Sequence, residues 1–260
     1  MKKLSKIVQS ANDGISRIKL NEPTTYNALS LNTLKSLIEC FKSYNKDKKT
    51  KVIIIEGSGK GFSGGHDLRE INSLKGKADY QKLFNLCSEL MMNIVHNSKP
   101  VIAKVHGAAF AAGCQLVATC DLALSSNDAI FATPGVNIGL FCSTPMVALS
   151  RNVNRKKTMN MLLTGKPISA KYAKEIGLIN DHFENSKLEE EVLKLAETIA
   201  SKSTKIIKIG KEAFYKQLEM PLEEAYKYTS QIMCENMTTL DANEGISAFL
   251  EKRDPHWKNK

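Results

Sequence analysis

Two stretches of small residues, each directly behind an apolar strand-like run, constrain this chain most. The first is Gly61-Phe62-Ser63-Gly64-Gly65-His66-Asp67-Leu68, which follows the run 52–56. The second is His106-Gly107-Ala108-Ala109-Phe110-Ala111-Ala112-Gly113-Cys114-Gln115-Leu116, which follows the run 101–105. Each leads into a helix. Small residues at a strand-to-helix junction let a ligand reach bare backbone N–H groups, and helix N-termini are partly positive. Two such junctions that face each other can hold an anionic oxygen between two donors, an oxyanion hole.

The pattern strand, small-residue loop, helix recurs through the first half. Residues 6–20 read as a hairpin, with strands at 7–9 and 15–20 and a turn at Asn12-Asp13-Gly14. Apolar residues at Leu31, Leu34, Leu37, Ile38 and Phe41 have helical spacing. Strands are expected at 52–55, 101–105, 121–125 and 129–132, with a helix at 80–95. The second half reads as helices at 146–163, 170–176, 188–200, 206–218, 222–237 and 241–253. The expectation is an α/β core followed by a C-terminal helical subdomain, with the boundary near 198–204.

Composition narrows the function. The chain has 260 residues and 37 Lys and Arg against 27 Asp and Glu, a net charge of +10. That balance is a lysine-rich solvated surface or an attraction for anionic ligands. The basic residues are scattered among acids without a nucleic-acid motif, so a nucleic-acid partner is not expected. No apolar run reaches the length of a membrane span, and no continuous apolar segment follows Met1-Lys2-Lys3. Cys40, Cys87, Cys114, Cys120, Cys142 and Cys234 form no CxxC pair, and His96, His106 and His182 show no metal spacing. The cysteines read as reduced and mostly buried, in a cytoplasmic protein without a metal.

Phe62-Ser63-Gly64-Gly65-His66-Asp67-Leu68 resembles the F-[SAC]-A-G-x-D-[LI] segment of the crotonase superfamily, which includes the enoyl-CoA hydratases and isomerases. Residues 106–116 resemble its second block. Asp121-Leu122-Ala123-Leu124, Phe131-Ala132-Thr133-Pro134, residues 163–170 and residues 244–253 resemble further family segments. The likeness covers nearly the whole chain, in order, and is greatest to the type of enoyl-CoA hydratase domain-containing protein 3. It implies a crotonase-type spiral of ββα turns with a C-terminal helical subdomain. Residues 1–200 would form the spiral core with the CoA site, and residues 201–260 a trimerisation subdomain in a homotrimer or dimer of trimers. The implied ligand is an acyl-CoA thioester; coenzyme A enters with the substrate, and no separate cofactor is expected. The resemblance assigns the backbone N–H groups of Gly64 and Ala112 to the thioester carbonyl. It places Asn27, Ala28, Leu29, Gly65, His66, Asp67 and Leu68 along the CoA channel, Thr133 beside it, and Lys252, from a neighbouring subunit, on the CoA.

Departures from the family pattern bear on the reaction. Family hydratases use two glutamates, one where Gln115 stands and one where Gly135 stands. Gln does not exchange a proton near neutral pH, and Gly has no side chain. Each general acid or base is worth roughly 10²–10⁴ in rate. Residues 131–145 contain no Asp or Glu at all. The expectation is therefore a hydratase- or isomerase-family enzyme that works through a thioester enolate, without efficient hydration by the usual route. A malonyl-type CoA decarboxylase is one alternative, since loss of CO₂ generates the enolate without a carboxylate base. In that reading His66 contacts a substrate carboxylate or supplies a proton. A non-catalytic acyl-CoA binder is the other.

Blander assignments stand beside these. His66 could be an ordinary loop histidine, while Gln115 could hydrogen-bond an acyl group or a water as a site residue or could equally be a satisfied polar residue on a buried helix. Asp67-Leu68-Arg69-Glu70 has capping-box spacing. Ser143-Thr144-Pro145 reads as a helix start with a hydroxyl cap. Cys142 reads as packing, and His256-Trp257 as an anchoring contact.

Overall fold

The computed structural model describes residues 6–259. The chain starts with an antiparallel hairpin of β1 (Ile7–Asn12) and β2 (Ile15–Leu20), turned at Asp13-Gly14. A 3-10 turn (Pro23–Thr25) leads to α1 (Leu31–Lys46). Three ββα units follow. The first is β3 (Val52–Gly57), β4 (Gly61–Ser63), α2 (Leu68–Ser73) and α3 (Lys77–Val95). The second is β5 (Val101–Val105), β6 (Ala108–Phe110) and α4 (Ala112–Thr119). The third is β7 (Leu122–Ser126), β8 (Ile130–Ala132), a 3-10 turn (Pro134–Ile138), α5 (Ser143–Asn152) and α6 (Arg155–Thr164). Next come β9 (Ile168–Ser169), α7 (Ala170–Glu175), β10 (Asp181–Phe183) and α8 (Asn185–Ala200). The chain ends in α9 (Thr204–Gln217), α10 (Leu222–Met237) and α11 (Leu240–Glu251).

Each unit gives its first strand to one sheet and its second strand to another. The larger sheet has the order β1-β2-β3-β5-β7-β10, and the smaller β4-β6-β8-β9. This is the expected spiral of ββα turns. Alternation within β3 shows why both faces of the larger sheet are covered. Ile53 and Ile55 enter the main core with residues of α1, α3 and α4, whereas Val52 and Ile54 pack with Leu188, Val192 and Ala196 of α8.

The structure corrects several boundaries. The single helix expected at 146–163 is two helices. Val153 is buried between them, and the Asn154 side chain accepts from Lys157 N–H to start α6. The small-residue blocks are not plain loops. Each contains a three-residue strand, β4 or β6, and these belong to the second sheet. Strands of Gly, Ala and Ser lack the β-branched signal that marks a strand in sequence.

One buried ion pair fastens α9 to the spiral. Lys211, 9% exposed, sends Nζ to Asp121 Oδ2 (2.6 Å) and to the carbonyls of Ile94 and Lys99 (3.0 Å each). Tyr215 donates its hydroxyl to Asp121 Oδ1 at 2.9 Å, and Val101 N–H reaches Asp121 Oδ2 at 2.7 Å. Trp257 Nε1–H donates to Ser201 O at 2.7 Å and pins the chain end as expected.

Candidate functional site

The two small-residue junctions lie against each other because β4 pairs in parallel with β6, Gly61 opposite Ala108 and Ser63 opposite Ala109. Their contact is backbone on backbone. A Cβ on Gly113 would fall 2.3 Å from Ser63 O. Gly65 has φ +91, and a Cβ there would meet Phe110 O at 2.9 Å and Ala112 N at 3.1 Å. Both positions need glycine for the two loops to approach this closely.

Ala112 is the first residue of α4, behind Ala111, whose φ is +49 and whose side chain provides no cap. The Ala112 N–H has no acceptor among the described residues. An uncapped N-terminal N–H at the positive end of a buried helix is a ready anion donor. The Gly64 N–H differs, since it donates to Tyr26 O at 2.8 Å. A ligand oxygen must share or displace that carbonyl.

The segment 26–29 is strapped along residues 61–66. Ser63 Oγ donates to Asn27 O at 3.0 Å, and Leu29 N–H to Gly65 O at 2.8 Å. Asn27 accepts from Glu22 N–H through Oδ1 and donates through Nδ2 to the carbonyls of Ser58 and Gly61. Its side chain is thus fully used, and Ala28 and Leu29 are buried in the core. These three residues can offer a ligand only backbone. Tyr26, which sequence reasoning did not single out, is the exposed side chain of the segment and holds φ +53.

His66 points its Nδ1 at Leu29 O, 3.1 Å away. A carbonyl only accepts, so Nδ1 carries the proton and Nε2 presents a lone pair. That Nε2 is sealed from solvent and has no partner. The ring meets Phe84 edge-on at 5.6 Å. Burial pulls its pKa below the ordinary 6.5, which leaves the imidazole neutral at pH 7. In this tautomer Nε2 carries no proton, so a proton reaches a ligand from His66 only after the ring is protonated or changes tautomer.

Gln115 is 4% exposed on α4. Its Oε1 accepts from Cys87 Sγ at 3.9 Å, and its Nε2 has no acceptor among the described residues. Thr133 is 0% exposed, and its Oγ1 is sealed and unpartnered. Asp67 caps α2 by accepting from Arg69 N–H (2.9 Å) and Glu70 N–H (3.3 Å). Glu70 does not close the capping box; it accepts from Leu31 N–H at 2.8 Å and serves the start of α1 instead. Leu68 is exposed beside this cap. Lys252 ends α11 with φ +57. No hydrogen bond or ion pair ties it to the residues around Gly64 among the described residues.

Gly135 is closed to any side chain. A Cβ there would lie 2.6 Å from Leu140 O and 2.9 Å from Cys142 Sγ. The helix start expected at Ser143 shifts by one residue: Cys142 takes the N-cap position without a side-chain bond, and Ser143 Oγ donates to Phe141 O.

A family model described as enoyl-CoA hydratase/isomerase matches residues 10–260. This chain belongs to that family. Enoyl-CoA hydratase domain-containing protein 3, mitochondrial, of Rattus norvegicus is 49% identical over 247 residues, covering 95% of this chain and 82% of that protein. Its Homo sapiens counterpart is 48% identical over 248 residues, with the same coverage. An enoyl-CoA hydratase structure from Mycobacterium smegmatis matches with TM-score 0.96 and 44% identity, covering 97% of this chain and 99% of the other. The human domain-containing protein 3 structure matches with TM-score 0.95 and 47% identity, covering 97% and 100%.

The family resemblance and the crotonase-type α/β fold read from the sequence therefore stand. The cytoplasmic expectation does not. The relatives from rat, human and mouse are all named mitochondrial proteins, which points away from the cytoplasm. Free thiols persist in any reducing compartment, so cysteine usage could not separate the two locations. Five of the six cysteines are buried and Cys234 is exposed; none forms a disulfide. Among the described residues no helix is long and apolar enough to cross a membrane.

The sequence did not reveal the parts of the site that depend on distant residues. Phe84 and Cys87 read only as apolar positions of a helix, yet they contact His66 and Gln115. The Tyr26 carbonyl left no signal, because any residue type carries one.

Proposed function

We propose that this family member binds acyl-CoA thioesters and polarises the thioester C=O between the N–H groups of Gly64 and Ala112. The observation that carries this reading is the unpaired Ala112 N–H at the start of buried α4, set against the Gly64–Gly65 turn. Two such donors stabilise an enolate oxygen more than a ground-state carbonyl, and one of them is worth roughly 10²–10³ in rate. Coenzyme A arrives as part of the substrate, and the +10 chain suits its phosphates.

The chemistry is enolate chemistry with weak hydration. Gln115 exchanges no proton, and position 135 has no room for a glutamate. The decarboxylase alternative lacks support from His66 in this arrangement, because its Nε2 is sealed and unprotonated and offers a substrate carboxylate no donor. Residues 201–260 serve as a trimerisation subdomain, with Lys252 reaching the CoA of a neighbour. Leu222, Tyr226, Phe249 and Leu250 support this, since they leave apolar surface on α10 and α11 uncovered in the single chain.

A panel of CoA thioesters, followed by mass spectrometry for turnover and by calorimetry for binding, tests the proposal. Binding of thioesters with turnover of at least one enolisable ester is expected. Binding without turnover across the panel would favour the non-catalytic binder, and no binding would refute the reading.

A further inference from the structure

We propose that the lysine-rich edge at the start of β3 and β5 docks the protein on a membrane surface of anionic phospholipid.

Three segments meet at that edge: 45–51 at the end of α1, 96–100 before β5, and 201–212 from the end of α8 into α9. They are tied together. Asn45 Oδ1 accepts from Ser98 N–H at 2.8 Å and from the Ser98 hydroxyl at 2.6 Å. Lys211 Nζ donates to Lys99 O at 3.0 Å, and Lys51 Nζ to Ala200 O at 3.1 Å. Together the segments carry nine lysines against two acids, Asp47 and Glu212. Asp47 is engaged in its own turn, where it accepts from Lys49 N–H, Thr50 N–H and the Thr50 hydroxyl. Glu212 faces Lys208 at 3.8 Å. Among the described residues, Lys48, Lys49, Lys99, Lys202 and Lys205 reach no carboxylate within ion-pair distance. Asp13 and Glu197 border the edge on one side, in the groove beyond Ala200. Burial lowers the Lys99 pKa, and Lys208 adds to this against the pull of Asp47. Like charges are thus held close at a cost that an anionic surface would offset.

This edge is separate from the proposed thioester site. β3 and β5 run in parallel from Val52 and Val101 toward β4 and β6, and Gly64 and Ala112 follow those strands. The strands put roughly 15 Å between the two ends. Both can therefore be occupied at once.

The chemistry of the edge selects the partner. The three segments contain lysine but no arginine, and no exposed large apolar side chain. Protein interfaces centre on aromatic and arginine anchors, and single-stranded nucleic acid is held by stacking rings. Lysine is a point charge on a flexible stem, which suits a fluid layer of headgroups. Such contact lies on the surface and needs no spanning helix.

Co-sedimentation of the intact protein with phosphatidylcholine vesicles containing about 30% phosphatidylglycerol tests this. Binding is expected at low salt, with loss at about 0.5 M NaCl and none to pure phosphatidylcholine. Lys48→Glu/Lys49→Glu/Lys208→Glu should weaken it by at least about tenfold. Lys48→Gln/Lys49→Gln/Lys208→Gln should give a smaller loss and guards against a folding defect in the first variant. Lys171→Glu/Lys187→Glu/Lys194→Glu makes the same change in net charge at exposed positions of α7 and α8, and should bind nearly as the wild type does. No binding to the anionic vesicles, equal loss in the two glutamate variants, or tighter binding of polyglutamate or duplex DNA than of vesicles would overturn the proposal.

Discussion

The Gly64 N–H and the Tyr26 carbonyl are joined by a 2.8 Å hydrogen bond, so one proposed oxyanion donor is already engaged in the free protein. Tyr26 has φ +53 and Asn27 φ +54, and the left-handed region is costly for a residue such as Tyr. The segment is thus held in an unfavourable conformation against the site it covers.

Thioester binding should alter this bond in a way that coenzyme A alone does not. Amide hydrogen exchange at Gly64 and Ala112 should slow with a non-reacting thioester analogue and stay unchanged with free CoA. Equal protection by both ligands would place the carbonyl elsewhere.

Position 135 is excluded by packing. Gly135→Glu must push aside Leu140 O and Cys142 Sγ, at a cost of about 1–3 kcal/mol. The expected result is a Tm lower by several degrees. The double change Gln115→Glu/Gly135→Glu should not reach ordinary hydratase rates with crotonyl-CoA, followed by loss of the conjugated-thioester absorbance. A stable variant that hydrates efficiently would show that the pocket is less constrained than its packing indicates.

Lys211 should matter far more for stability than a typical lysine. Lys211→Met leaves Asp121 charged and largely buried, strips the Lys99 carbonyl of the ammonium, and leaves the Ile94 carbonyl with backbone donors such as Asn97 N–H. Breaking one side of a buried pair costs about 3–5 kcal/mol. Urea unfolding should show that loss. The double variant Lys211→Met/Asp121→Leu should lose less than the two single changes added together. Strict additivity would mean that the pair is not coupled.

Alkaline pH should weaken the fold through its buried thiols. Burial raises Cys87 and Cys114 from 9.0 to about 12, and raises Cys40 to about 11. The folded state holds these protons more tightly than the unfolded chain. Their contribution is complete below pH 9 and is lost as pH rises toward 12. The urea midpoint should stay level from about pH 7 to 8.5, then fall. Cys87→Ala should flatten that decline, and an unchanged slope would exclude Cys87 as a source.

The parts of this molecule visible in sequence are those written in local patterns. Strand β5 and helix α10 were bounded to the residue, because apolar runs and Pro100 or Pro221 mark them. The Asp67 cap was legible because its acceptor lies two and three residues from its donors. Glu70 was misassigned for the converse reason: its partner, Leu31, lies thirty-nine residues away. The same holds for Cys87 with Gln115 and for Lys211 with Asp121. Of the second sheet only β8 was legible; β4, β6 and β9 escaped notice because they are three residues or fewer, and β4 and β6 are built mainly of Gly, Ala and Ser.

Carbonyl polarisation tests the oxyanion proposal most directly. Difference infrared spectroscopy of an acyl-CoA labelled with ¹³C at the thioester carbon reports the C=O stretch of bound ligand alone. Two backbone donors at Gly64 and Ala112 should move that stretch to lower frequency than in water. A bound thioester whose carbonyl vibrates as it does in solution would contradict the assignment.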